Sequence, residues 1–276
     1  MHVHVPRQPG LQPVEVEAHL RSYFRVKDPP EDADEMARRY KEWDIFGLIF
    51  SVDTQITTAE TPDSNDYVSG IVKTYPDQFI GFATVDPWKG KSAVLELERS
   101  VTELGLRGLK LHPIHQAFFP NDPHFYPLYR KCAELGVPVL FHSGFAAAGA
   151  GHPGGAGFKL KYSAPIPGID DVAADFPDLT IIMAHPAWPW IEEQIAVTLH
   201  KANVYLDLSG WSPRFIPEPL IREADTRLRD KVLFGSDFPY LPPDRWLNEF
   251  DALPIRDEVR PKILLENARR ILKLSS

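Results

Sequence analysis

The sequence predicts an α/β protein, specifically a (β/α)8 TIM barrel, and three observations predict it. Short apolar segments recur about every 20 to 40 residues with helical patterning between them, as strands and helices alternate in a parallel sheet. The length of 276 residues holds one complete barrel, which takes about 250, with little left over. Five chemistry-bearing side chains, His2, His4, His142, His185 and Asp237, fall at the C-terminal ends of such segments, where a barrel gathers its site residues.

Strands are expected at 1–5, 45–52, 79–85, 108–112, 138–142, 180–185, 204–208 and 231–235. The first carries His2-Val-His4, and residues two apart on a strand share a face, so both imidazoles can converge on one ion. Several of the others are near-continuous apolar runs, as in Val139-Leu-Phe-His142, Ile181-Ile-Met-Ala-His185 and Val232-Leu-Phe-Gly-Ser236. Such runs suit strands covered on both faces. Helical patterns fill 34–43, 64–75, 92–104, 123–135, 190–201 and 217–228, and a final helix over 256–272 closes the chain. Glu-Leu-Gly at 103–105 and 134–136 precedes a strand each time, its glycine placed to cap a helix in a left-handed conformation. Three neutral imidazoles or more with one carboxylate form a borderline-hard donor set that suits zinc, with manganese or iron second.

The pattern reads as one domain over 1–276, with 43% hydrophobic residues for its core. A net charge of −8 without a basic stripe argues against nucleic acid. No apolar run reaches about 18 residues and no signal peptide is apparent, so a cytoplasmic protein away from membranes is the expectation. Cys132, the single cysteine, lies at helical spacing with Phe125, Leu128, Tyr129 and Leu135 and reads as core. The segment 144–168, rich in Gly, Ala and Pro, is too long for an ordinary βα loop and reads as a lid over the active face. A homodimer is compatible with the sequence, which carries no direct sign of assembly.

The order of short motifs resembles amidohydrolase family 2, the metal-dependent TIM-barrel group related to aminocarboxymuconate-semialdehyde decarboxylase. The matching stretches are His2-Val-His4, Gly108-Leu-Lys-Leu-His-Pro113, Phe141-His-Ser-Gly144, Met183-Ala-His-Pro186, Gly235-Ser-Asp-Phe-Pro239 and Glu266-Asn-Ala-Arg-Arg-Ile-Leu272. The resemblance implies one divalent metal, zinc first, held by His2, His4, His142 and Asp237. It makes His185 a general acid/base, with Asp237 sharing proton transfer. An ordinary imidazole pKa near 6.5 suits that role.

Two departures from the family pattern stand out. Relatives usually carry several apolar residues and an acidic one before His-x-His, and here a single residue precedes it. The expectation is an unpaired barrel edge that weakens the fold near two of these residues, through a misassigned or truncated start, with weak metal binding as the alternative. Lys110 ends the fourth strand, where some amidohydrolases place a carboxylated lysine bridging two metals. Here it reads better as a cation that binds a substrate carboxylate or packs beneath the site, the second metal being the alternative.

Loops after the strands supply Arg7, Trp88, His112, His115, Lys159, Lys161, Trp188, Trp190, Trp211, Arg214 and Tyr240. Arg7, Lys110, His112, Trp188, Trp211 and Arg214 are the substrate-binding candidates, and cations among aromatics suit a small, planar, anionic substrate. The function expected first is a metal-dependent hydrolase of a small organic acid, lactone or amide. Its alternatives are a non-oxidative decarboxylase of an aromatic or muconate-type acid, and a catalytically silent ligand-binding barrel.

Overall fold

The computed structural model describes residues 2–12 and 15–274, so Met1 of the expected first strand lies outside it. The strands are β1 (Val3–His4), β2 (Gly47–Phe50), β3 (Phe79–Gly81), β4 (Ala83–Thr84), β5 (Leu109–Leu111), β6 (Val139–His142), β7 (Ile181–Ala184), β8 (Val204–Asp207) and β9 (Val232–Leu233). Neighbours pair in parallel and in chain order. β3 and β4 are two halves of one stave that changes partner at Phe82, the lower half pairing with β2 and the upper with β5. Eight staves result, matching the expected strand count.

The first strand is short but not an unpaired edge. Val3 bridges Phe238 in parallel, and the amides of His4 and Asp237 donate to Phe238 O (2.8 Å) and His2 O (3.0 Å). Pairing with β2 on the other side leaves β1 satisfied on both flanks. The expected weak edge is therefore overturned, because the chain's two ends close the barrel against each other.

Alternation along the staves sorts the core. Leu48, Phe50, Ile80, Phe82, Leu140, Ile182, Ala184 and Leu233 form one buried cluster, the barrel interior, while Ile49, Phe141, Ile181, Met183 and Leu206 pack with the surrounding helices. Ala268, Ile271 and Leu272 join the interior cluster, so the C-terminal helix plugs the bottom of the barrel. His142 follows inward Leu140 by two residues, and Lys110 lies between outward Leu109 and Leu111, so both project into the upper interior.

Most expected helices are present; Gly136 caps its helix at φ +66 as expected, whereas the helix ending at Thr102 is capped at Glu103 and Gly105, at φ +77, follows two residues later. Four helices, Glu15–Tyr23, Gln55–Thr58, Gly168–Asp175 and Pro243–Phe250, are additional. The closing helix begins later than expected: 257–259 form a turn, followed by a π-helical stretch Lys262–Glu266 and the helix Asn267–Ile271. Cys132 is buried, and burial pushes its thiol pKa up, which fits a core role. Among the described residues no helix is long and apolar enough to cross a membrane.

Candidate active site

His2 and His4 at the top of β1 meet Asp237, which follows β9, across the closing seam. His2 Nε2 lies 3.1 Å and His4 Nε2 3.2 Å from Asp237 Oδ1. His2 Nε2, Asp237 Oδ1 and His142 Nε2 are all buried without a hydrogen-bond partner. Orphaned buried polar atoms are costly, and an ion about 2.1 Å from each donor would satisfy them together. The three donor atoms of His2, His4 and Asp237 fall within 4.8 Å of one another. His142 stands outside that group but beside it, its ring centroid 4.8 Å from that of His185. The residues present thus fit a divalent cation.

Burial pushes the pKa values of His4 and His142 below the ordinary imidazole value, against the pull of Asp237. Their rings are neutral at neutral pH, the form that ligates a metal. Burial pushes the Asp237 carboxyl up, but His2, His185 and His4 override it and hold the group well below the usual carboxylate range. Asp237 is therefore an ionised acceptor at rest, which suits a ligand better than a proton donor.

His185, Asp237 and His2 all take left-handed backbone conformations, at φ 76, 72 and 62. Each costs about 1–3 kcal/mol and persists only where its surroundings impose it. Asp207 Oδ1 accepts from the amide of His185 (3.1 Å), and Gln194 Nε2 donates to its carbonyl (2.8 Å). The His185 ring directs Nδ1 to the carbonyl and hydroxyl of Ser209, each at 2.9 Å, which frees Nε2. Burial lowers its pKa to about 4, with Asp237 opposing, so the expected near-neutral value is corrected to a ring that is uncharged at rest. Gly210, at φ +73, makes room: a Cβ there would lie 2.6 Å from His185 Nδ1.

Asp207, at the end of β8, was not singled out from sequence. It is fully buried, and its Oδ2 lies 3.1 Å from His2 Nδ1. Its signal was an acid at a strand end in Tyr205-Leu-Asp-Leu-Ser209, which alone does not distinguish a ligand from a structural partner.

Lys110 is buried with its ammonium 4.9 Å from the centre of the Phe50 ring. Burial lowers its pKa to about 8, with Asp207 and Asp237 opposing. Above it three imidazoles stack, His142 on His112 at 3.9 Å and His112 on His115 at 3.6 Å, with interplanar angles of 11° and 10°. Burial drives His115 to about 3 and His112 well below its ordinary value, so the stack is neutral.

These groups face one cavity of about 1060 Å³, also lined by Arg7, Trp188, Trp211 and Tyr240. Arg7 reaches its wall but is committed to Asp63 (3.2 Å) and to the carbonyls of Thr61 (2.7 Å) and Gln12 (3.0 Å). Arg214 does not belong there: it is 61% exposed and lies over the Phe215 ring at 4.8 Å, outside the cavity. A position after a strand did not fix where that side chain points. Trp88, Lys159, Lys161 and Trp190 also lie off the cavity wall. Helix Glu15–Tyr23 and residues 145–148 with Phe158 roof it, joined by His19 Nε2 to Ala147 O (3.2 Å) and His19 Nδ1 to His152 Nε2 (3.1 Å).

The chain is 28% identical over 243 residues to a 2-keto-4-carboxy-3-hexenedioate hydratase of a Sphingobium species, covering 75% of this chain and 69% of that protein. It is 25% identical over 248 residues to a gamma-resorcylate decarboxylase of Rhizobium radiobacter, covering 76% and 75%. Among solved structures, an uncharacterized TIM-barrel protein of Bordetella bronchiseptica matches with a TM-score of 0.81 at 26% identity, over 99% of this chain and 98% of that one. A dihydroxybenzoic acid decarboxylase of a Polaromonas species, with bound manganese and 2-nitroresorcinol, matches in fold with a TM-score of 0.66 at 21% identity, over 99% and 96%. The amidohydrolase family matches residues 1–274. A full-length match on a closed barrel whose strand tops gather a metal-type donor set leaves one conclusion, that the chain belongs to the amidohydrolase family.

Proposed function

We propose that the chain is a divalent-metal-dependent, non-oxidative decarboxylase of a small planar carboxylic acid, aromatic or muconate-like. The observation that carries the reading is Lys110, a buried cation facing the metal-type donors, with no ion pair or hydrogen bond to a described residue. Such a group calls for an anion, and a substrate carboxylate supplies it. Hydrolysis was the first expectation; the decarboxylases among the relatives shift the weight to its alternative.

His2, His4 and Asp237 would hold the cation, with His142 completing the set. The cation would polarise a substrate oxygen and offset its charge. Zinc and manganese both suit the donors, and manganese is bound in the Polaromonas decarboxylase. Lys110 would pair with the carboxylate, and the neutral stack over His142 would form one wall. In the reaction the C–COO⁻ bond breaks, carbon dioxide leaves, and the electron pair left on carbon takes a proton. His185, uncharged at rest with Nδ1 committed to Ser209, would relay that proton from solvent through Nε2. Segment 144–168 and helix Glu15–Tyr23 would act as a two-part lid that excludes water.

Hydration or hydrolysis is the second reading, favoured by the hydratase relative. Metal-loaded protein should be offered hydroxybenzoates and muconate-type acids beside lactones, esters, amides and unsaturated diacids. Carbon dioxide release from an acid is expected. Hydrolysis or water addition with no carbon dioxide across the panel would reverse the choice.

A further inference from the structure

We propose that Asp207 is a positioning residue that selects the ring tautomers of both His2 and His185, tying the metal-holding and proton-handling halves of the site to one carboxylate. The inference rests on the reading above only in taking His2 Nε2 to face a cation.

Asp207 is fully buried on β8, beside the strand that carries His185. Its Oδ1 accepts from three donors, the amides of His185 and Ser209 and the Ser209 hydroxyl, the surroundings of an ionised carboxylate. An ionised carboxylate only accepts hydrogen bonds. Its Oδ2 lies 3.1 Å from His2 Nδ1, so that nitrogen must carry the proton. A neutral imidazole has one N–H, and Nε2 is left with its lone pair toward Asp237 Oδ1, 3.1 Å away.

Ser209 links Asp207 to His185. Its amide (2.9 Å) and its hydroxyl both donate to Asp207 Oδ1. A hydroxyl has one proton, so toward His185 Nδ1, at 2.9 Å, Ser209 Oγ can only accept. The Ser209 carbonyl, also at 2.9 Å, requires the same. His185 therefore holds its proton on Nδ1 and offers Nε2 to the cavity. Oδ1 also accepts from the His185 amide at 3.1 Å, fixing the left-handed backbone that aims the ring.

His2, His185 and Asp207 bring donor atoms within 4.8 Å of one another and so look like a second cation site. The proton on His2 Nδ1 and the saturated carboxylate make them a hydrogen-bonded relay instead. A partner of this kind, behind a metal-binding imidazole, typically changes metal affinity about 10- to 100-fold.

Asp207→Asn separates positioning from mere packing. The amide keeps an oxygen for the His185 and Ser209 amides but turns an NH2 group toward His2 Nδ1. That forces the His2 proton onto Nε2 and blocks the lone pair. We expect the metal-free variant to melt near the wild type while its Mn²⁺ or Zn²⁺ affinity, by calorimetric titration, falls about 10- to 100-fold. Nitrogen NMR of the metal-free wild type, with His2→Gln for assignment, should find the His2 proton on Nδ1. Wild-type metal affinity in Asp207→Asn overturns the proposal, as does an Nε2–H tautomer of His2. If the variant fails to fold, the wild-type tautomer decides. If the wild type takes up no divalent ion, the metal reading fails, and the tautomer still tests Asp207 by itself.

Discussion

His2 Nε2 and Asp237 Oδ1 come from opposite ends of the chain and lie 3.1 Å apart, yet neither has a hydrogen-bond partner. Ligands about 2.0–2.2 Å from one ion stand roughly 3 to 3.5 Å from each other, which is the spacing of this pair and of His4 with Asp237. The backbone bond from Asp237 N to His2 O, 3.0 Å, sets the separation, so barrel closure and site assembly are one event.

The first prediction concerns the ion. The purified protein should hold about one divalent metal per chain, and His4→Ala and Asp237→Asn should each lose most of it. His142→Ala should weaken binding less, since its nitrogen lies outside the tight group. Chelation should lower the melting temperature, because an ion at a hundredfold excess over Kd adds about 2.7 kcal/mol. Full occupancy in both His4→Ala and Asp237→Asn, by elemental analysis, would remove the assignment.

His185→Ala should separate turnover from metal retention. The His185 ring is fastened by Ser209 and leaves Nε2 for a reacting proton, while the donor group of His2, His4 and Asp237 does not include it. Turnover should fall about 10²- to 10⁴-fold with metal content unchanged. A variant that loses its metal, or that turns over normally, would show that the ring has a different job.

What the sequence made legible was mainly parity and order. Strand ends carrying His142, His185 and Asp237 were readable because apolar runs set the strands, and alternation then set the inward face. Closure of β1 on Phe238 was not readable, because no local pattern shows which distant segment will lie beside two residues of strand. Helix Glu15–Tyr23 was missed for a related reason: it buries no residue in the core, and its Val16 and Leu20 face the cavity. Asp207 works through hydrogen bonds to residues remote in sequence, and these have no sequence signature. Arg7 and Arg214 were judged by position alone, and side-chain partners decided both.

Gly210→Ala tests how tightly the site is built. The glycine takes φ +73, and a Cβ would stand 2.6 Å from His185 Nδ1 and 3.3 Å from Asp237 Oδ2. Left-handed strain should cost about 1–3 kcal/mol of stability. Displacing His185 should also lower kcat, since a misplacement of about 1 Å can cost roughly 10²-fold. Denaturant unfolding and steady-state rates measure the two effects separately. An unchanged kcat would mean that His185 need not keep this position.

Lys110 gives the pH dependence. Burial lowers its pKa to about 8 despite Asp207 and Asp237, so the side chain is cationic below that value and neutral above it. If it pairs with a substrate carboxylate, kcat/KM should fall as pH rises through about 8, by up to tenfold per unit, because that ratio reports the free enzyme. Stability should move the other way. The unfolded lysine, with a pKa near 10.4, still binds a proton between about pH 8 and 10 where the folded one has lost it, so this group's contribution to stability rises over that window. Falling activity without falling stability is thus the signature that separates Lys110 from alkaline unfolding. Lys110→Met should lower kcat/KM more than kcat and abolish the alkaline limb. An identical limb in Lys110→Met, or a flat wild-type profile to pH 9, would mean that the substrate's charge is met by another group.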